Sequence, residues 1–151
     1  MSGKLCCILR GLPGTGKSTL AQLLALIAQD GKAAILSADN FFLENGKYNF
    51  DKTRLKEAHE ETFKSFKKAV ESEIPLIIVD NTNVKNFHYW HYLDWAQRNG
   101  YLVSVITMPH NDVSNKELAK RNLHGVDQNT IRRMRHSFDW RITEPQEQIN
   151  G

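Results

Sequence analysis

Cysteine is nearly missing from this chain: Cys6 and Cys7 are the only two, and they are adjacent. Neighbouring residues of a strand point to opposite faces, so the pair closes no ordinary disulfide framework and makes no zinc site alone. Two small core residues in a reducing compartment are expected instead. Long apolar runs are also missing, and none present is long enough to span a bilayer. No basic-plus-hydrophobic leader precedes Leu5, which predicts an intracellular protein, cytoplasmic or nuclear. Internal repeats and low-complexity tracts are lacking as well. With 40% hydrophobic and 25% charged residues, the 151-residue chain has the composition of one globular domain with its own core.

Neither sign of charge dominates: the net charge is +3. That balance is compatible with a nucleotide or nucleic-acid partner without requiring one. Basic residues concentrate at Lys116, Lys120, Arg121, Arg132, Arg133, Arg135 and Arg141. A solvated helix face explains such a run equally well.

The pattern along the chain alternates. Leu5 to Leu9 is an apolar run ending at a glycine-rich turn, as in a strand buried on both faces. Leu20, Leu23, Leu24, Ile27 and Ala28 recur at helical spacing, with Gly31 as the stop. "AAILS" (Ala33 to Ser37) reads as a second strand, followed by a polar connection, "LENGKYNFD". Leu55, Ala58, Thr62, Phe63, Phe66, Ala69 and Val70 share one face of a long helix. Pro75 opens a third strand, "LIIVD"; the aromatic stretch to Gly100 is helical in period, and "YLVSVITM" is a fourth strand. Ser114 and Glu117 have capping-box spacing for a short helix, and Asp127 can cap another through Phe138. Residues from 142 onward read as a frayed tail. Strands alternating with helices predict a parallel sheet covered on both faces, with ligands beyond the carboxyl ends of its strands.

One such end carries "GLPGTGKST". Gly11, four residues, then Gly16, Lys17 and Ser18 form a phosphate-binding loop. The glycines let backbone N–H groups turn toward oxyanions, and the helix that starts there adds its positive end. Gly11, Pro13, Gly14, Thr15, Gly16, Lys17, Ser18 and Thr19 are therefore the candidate nucleotide contacts. Lys17 would reach the β- and γ-phosphates, and Ser18 and Asp80, at the end of the third strand, would hold Mg²⁺.

What is missing beside Asp80 narrows the chemistry. Its neighbours Asn81, Thr82 and Asn83 can orient groups but cannot take a proton, so no glutamate polarises an attacking water. No guanine-reading "NKxD" motif occurs either. Asp39, closing the second strand in "LSADNFF", is the candidate general base for a hydroxyl acceptor. Arg121, in "LAKRNLHG", is the candidate lid arginine over the developing charge. Arg132 and Arg133 are weaker alternatives. His88 and His91 share a helix face but lack a third ligand, and His59 and His124 could line an acceptor groove. The aromatics at 89, 90, 92 and 95 suit a packed helix better than a base platform.

"LRGLPGTGKSTLA", "LSADNFF", "GKYNFD", "EAHE", "VDNTN" and "AKRNLHGV" in this order resemble the P-loop kinase domain of the NEDD-four-binding protein two family. That domain is similar to phage-type 5′-polynucleotide kinases and to the P-loop domain of the myelin cyclic-nucleotide phosphodiesterase. The likeness runs from Leu5 to about Phe138. It implies an α/β, three-layer P-loop NTPase/kinase fold: a parallel sheet of four or five strands in one domain, 1–151, with a helical lid at about 114–138. It also implies ATP and Mg²⁺ as cofactors and transfer to a polynucleotide 5′-hydroxyl, on DNA or RNA. Carried over by position, Lys17 and Ser18 bind Mg-ATP, Asp39 activates the hydroxyl and Arg121 clamps phosphates. Asp80, Thr82 and Asn83 position the acceptor side. The phage-type enzymes place a basic residue shortly after the second-strand aspartate and a further arginine in the lid. Here Asn40, Phe41 and Phe42 follow Asp39, and His124 and Gly125 follow the "RN" pair. Three readings remain open: a polynucleotide kinase, a kinase of a small metabolite or nucleoside, and a nucleotide-binding interaction module with little catalysis.

Overall fold

In a computed structural model, residues 3–28 and 31–146 are described. Part of the expected tail, 147–151, lies outside them. β1 (Leu5–Arg10) and β5 (Leu76–Asp80) pair in parallel at the centre, flanked by β2 (Ala33–Leu36) beside β5 and β6 (Leu102–Thr107) beside β1. The two central strands are the continuous apolar runs, and β5 is buried throughout. Burial on both faces is what such runs require.

Each face of the sheet has its own packing partner. α1 (Lys17–Leu26) covers one side, where Ala21, Leu20 and Leu24 meet Cys7, Leu9 and Ile78. α2 (Leu55–Glu71) and α3 (Asn86–Arg98) cover the other, where Phe66, Tyr89 and Tyr92 meet Cys6, Ile8 and Ile77. The adjacent cysteines thus serve opposite cores. Burial drives the Cys6 thiol up to about 12 and raises that of Cys7, which leaves both as inert hydrophobes. Phe66 is fully enclosed, so truncating it to alanine costs about 3–5 kcal/mol.

The polar connection after β2 is more ordered than its composition suggests. A 3₁₀ turn, Ala38–Phe42, leads into a hairpin of β3 (Leu43–Glu44) and β4 (Lys47–Tyr48). Asn45 and Gly46 take φ of 51° and 77°, the left-handed pair that a two-residue hairpin turn demands. The Asn-Gly dipeptide was the available signal. Phe42 anchors the hairpin in a small core with Ala38 and Ala58.

Two helices close the molecule over the loop. α4 (Asn115–Arg121) starts at Ser114, whose hydroxyl accepts from the Glu117 N–H at 3.1 Å. α5 (Gln128–Ser137) starts at Asp127, which accepts from the Thr130 N–H at 2.7 Å. Both caps are the ones the sequence announces. Leu118, Ile131 and Phe138 pack on Leu12 and Val84, which seats the helices on the loop.

Candidate active site

The glycine loop is shaped by contacts that tolerate little else. Its first residue, Gly11, donates its N–H to the Thr82 carbonyl at 3.0 Å. A Cβ at Gly11 would lie 2.8 Å from both Met108 Cβ and Thr15 Oγ1. At Gly14, with φ of +83°, a Cβ would lie 2.5 Å from the Leu118 carbonyl oxygen of α4. Gly16 has φ of +92° and opens α1. Thr15 Oγ1 turns inward to donate to the Leu12 carbonyl at 2.7 Å. Gly11 and Thr15 thus shape the loop from behind, whereas Pro13, Gly14, Gly16, Lys17, Ser18 and Thr19 line a cleft of about 660 Å³.

Lys17 is buried in that cleft and donates to the Leu12 carbonyl at 3.0 Å. Burial lowers its pKa to about 8, and the nearby carboxylates of Asp80 and Asp39 oppose the drop. Ser18 Oγ donates to Asp80 Oδ2 at 3.0 Å. The β1–β5 register, with Leu9 beside Asp80, is what brings that carboxylate to the loop. Burial raises the pKa of Asp80, while Lys17 and the Ser18 hydroxyl pull it down. A buried carboxylate beside a hydroxyl is a hard oxygen pair of the kind Mg²⁺ uses, with phosphate and water oxygens completing its shell.

Asp39 sits on the 3₁₀ turn across the cleft from this pair, and its side chain is about half exposed. It is near enough to Lys17 and Asp80 to perturb both, yet it hydrogen-bonds to neither. Two groups hold it instead. The Tyr48 hydroxyl donates to Oδ1 at 3.1 Å, and His124 Nε2 lies 3.4 Å from Oδ2. Burial, reinforced by the Asp39 carboxylate, pushes the Tyr48 phenol well above its ordinary range, so it stays a donor.

Tyr48 is not singled out in the sequence, and His124 is named there only as a candidate lining of an acceptor groove. Tyr48 arrives through the hairpin and His124 through the turn between the closing helices. Asn122 builds that turn: its amide donates to the Ala119 and Val126 carbonyls at 2.7 and 2.9 Å, and its oxygen accepts from the His124 and Val126 N–H groups. His59 also lines the cleft. Asn81 accepts from the Ala38 N–H at 2.9 Å, which ties the 3₁₀ turn bearing Asp39 to the end of β5.

Arg121 and Thr82 line the cleft. Arg121 Nε pairs with Glu117 Oε1 of its own helix at 3.0 Å, and its side chain is over half exposed. Asn83 is the correction. Its side chain is buried away from the cleft and donates to the Leu9 carbonyl at 2.9 Å, while its own carbonyl accepts from Arg10 Nε at 2.9 Å. The fully buried Arg10 guanidinium lies between the Tyr89 and Phe138 rings at 4.8 and 4.6 Å. Asn83, with φ of 47°, therefore welds the loop after β5 to β1, and a side chain spent there cannot position an acceptor. The histidines of α3 are likewise structural: His88 Nδ1 accepts from the Lys85 N–H at 3.2 Å, and His91 packs on Phe63.

A four-stranded parallel sheet, a glycine loop opening α1 and a serine–aspartate pair at the strand ends define an α/β fold of the P-loop kinase type. The chain belongs to the AAA domain family, which matches residues 7–140. It is 39% identical over 145 residues to NEDD4-binding protein 2 of Homo sapiens, covering 95% of this chain and 8% of that protein. With YLP motif-containing protein 1 of Rattus norvegicus the identity is 27% over 158 residues, covering 90% and 11%. The chain thus spans only about a tenth of the length of these relatives, and the resemblance read from its motifs is borne out. Among solved structures, the gluconokinase of Sinorhizobium meliloti superposes with a TM-score of 0.57 at 10% identity, covering 98% of this chain and 79% of that one. A chain of the Pnkp1/Rnl/Hen1 complex gives 0.56 at 18%, covering 100% and 44%. The APS kinase CysC of Mycobacterium tuberculosis gives 0.52 at 18%, covering 74% and 83%. At such identities the likeness is one of fold. No helix among the described residues is long and apolar enough to cross a membrane.

Proposed function

We propose that this domain is a kinase that moves the terminal phosphoryl group of Mg-ATP to a hydroxyl, with a polynucleotide 5′-hydroxyl as the acceptor. The observation that carries the reading is the position of Asp39: in the cleft of Lys17, Ser18 and Asp80, half exposed, and bonded to none of them. A carboxylate so placed can take the proton of an alcohol as its oxygen bonds to phosphorus and the bond to the departing diphosphate breaks. Asn81, in the place where a hydrolase would put a water-polarising glutamate, has its oxygen engaged by the Ala38 N–H. Both features support an alcohol rather than water as the acceptor.

Ser18 and Asp80 would hold the magnesium ion, which supplies charge neutralisation to the phosphates when bound. Lys17, the loop N–H groups and the start of α1 stabilise the charge that grows on the transferring group and the leaving oxygen. Arg121 reaches the same cleft from α4 by exchanging Glu117 for a phosphate. Among alcohols, the polynucleotide 5′-end is preferred because the "VDNTN" and "RNLHGV" stretches resemble phage-type 5′-polynucleotide kinases. The chain also superposes over its whole length on a chain of the Pnkp1/Rnl/Hen1 complex.

The name of the human relative, a NEDD4-binding protein, favours a second reading, a nucleotide-holding interaction module. The test is incubation with γ-labelled ATP and a panel of 5′-hydroxyl DNA, 5′-hydroxyl RNA, nucleosides and sugars. Label on the oligonucleotides is the expected result. Label confined to a nucleoside or sugar moves the acceptor to a small molecule, and tight ATP binding with no labelled acceptor leaves the module.

A further inference from the structure

Beside Asp39 the cleft lining includes exposed apolar side chains. Phe50, just past β4, is 53% exposed, and Leu123, in the turn between α4 and α5, is 88% exposed. Both line the cleft that Asp39 lines. The Phe50 and Tyr48 rings are nearly parallel, 14° apart, with centroids at 6.4 Å, so they present related flat faces. Phe42, buried behind them, meets both edge-on at 5.1 and 6.2 Å and fixes their tilt. The Tyr48 hydroxyl bond to Asp39 ties the same wall to the carboxylate. On the closing side, His124 lies against Tyr48 with centroids 4.5 Å apart.

We propose that Phe50 and Tyr48 of the hairpin, faced by Leu123 of the closing turn, hold the 5′-terminal base of the acceptor by stacking. The inference rests on Asp39 marking the acceptor side of the cleft. A polyhydroxylated sugar is held by polar side chains around its hydroxyls. Polar groups such as His59, Asp127 and Thr130 do line the cleft, but the hairpin side next to Asp39 offers the ring faces of Tyr48 and Phe50, with Leu123 among the lining of the closing turn. A flat base suits it. Every base has a π-face, so such a platform is tolerant of sequence. It also provides grip where the phage-type enzymes use a basic residue and where this chain has Asn40, Phe41 and Phe42. Stacking of this kind is lost at a cost of about 10- to 100-fold in affinity.

The test uses a short 5′-hydroxyl oligonucleotide with 2-aminopurine as its first base, titrated with the protein and a non-transferable Mg-ATP analogue. Saturable fluorescence quenching is expected, with Phe50→Ala weakening it about 10- to 100-fold and Phe50→Trp restoring it. Phe50 is exposed, and an unchanged melting temperature separates lost stacking from lost folding. In parallel, γ-labelled ATP is offered with oligonucleotides whose 5′ residue carries a base or is abasic. Transfer should fall by a similar factor for the abasic acceptor, and Phe50→Ala should remove that discrimination. Equal transfer to both acceptors overturns the base platform and leaves the kinase reading intact. Quenching that depends on Phe50 without any transfer upholds the platform and overturns the kinase reading. Equal quenching by wild type and Phe50→Ala, or none by either, overturns the platform whatever the transfer. Binding of the free nucleoside as tight as that of the oligonucleotide supports the platform while assigning the acceptor to the nucleoside class.

Discussion

The two walls of the cleft are built in different ways. The donor wall joins β1, the glycine loop, the start of α1 and the end of β5; Lys17 and Asp80 are buried in it, and its polar groups are bonded within the wall. The acceptor wall joins a 3₁₀ turn, a two-stranded hairpin and the turn after α4, and much of it is exposed. The rigid side fixes where the triphosphate lies. On the proposed function, the open side, held by the Tyr48–Asp39 bond, the Asn122 turn and aromatic contacts, is where acceptor choice would reside. Sites combine a preorganised half with a half free to close in this manner because closure excludes water only after both ligands are in place.

If the donor wall is the rigid partner, Lys17→Ala should have the largest effect of any change on that wall, lowering transfer by about 10²–10³-fold in single-turnover assays. Gly14→Ala should come next. Its methyl would meet the Leu118 carbonyl oxygen at 2.5 Å on a backbone with φ of +83°. A loss of about 2–3 kcal/mol, or roughly 5–10 °C in a melting curve, is expected. An unaffected melting temperature would mean that loop and α4 are not packed as described.

The smallest effect is one of pH. Lys17 in the free protein loses its proton near pH 8, and phosphates favour the ammonium form. Mg-ATP affinity should therefore be constant below about pH 8 and weaken above it, by up to ~tenfold per unit until the bound lysine titrates. Isothermal titration across pH 6.5–9.5 reads this, and Lys17→Met should flatten the profile. For folding the sign is opposite. The lysine pKa is lower folded than unfolded, so its burden on stability is full below about pH 8 and eases as the pH rises toward 10.5.

The same contrast explains what could be read from the residues alone. The donor wall was legible because local sequence dictates it: an apolar strand, glycines where φ is positive, a helix start, and a strand-end aspartate delivered by sheet register. Ser114 and Asp127 were legible as caps for the same reason. Tyr48 was not, and of His124 only a place in an acceptor groove was, because each is presented by its own local turn and the two meet only in tertiary structure. Asn83 was misassigned because a polar residue beside a catalytic-type aspartate has the same composition whether it faces a ligand or ties two strands. Only the Leu9 and Arg10 partners decide between them.

Replacing Asp39 with asparagine tests the central claim most directly, because it keeps the side chain's size while removing its capacity to take a proton. Measured side by side, the affinity for Mg-ATP should stay within about threefold of wild type, while transfer to the hydroxyl acceptor falls by about 10²–10⁴-fold. Equal rates for Asp39→Asn and wild type would contradict the account, because the carboxylate would then take no part in phosphoryl transfer.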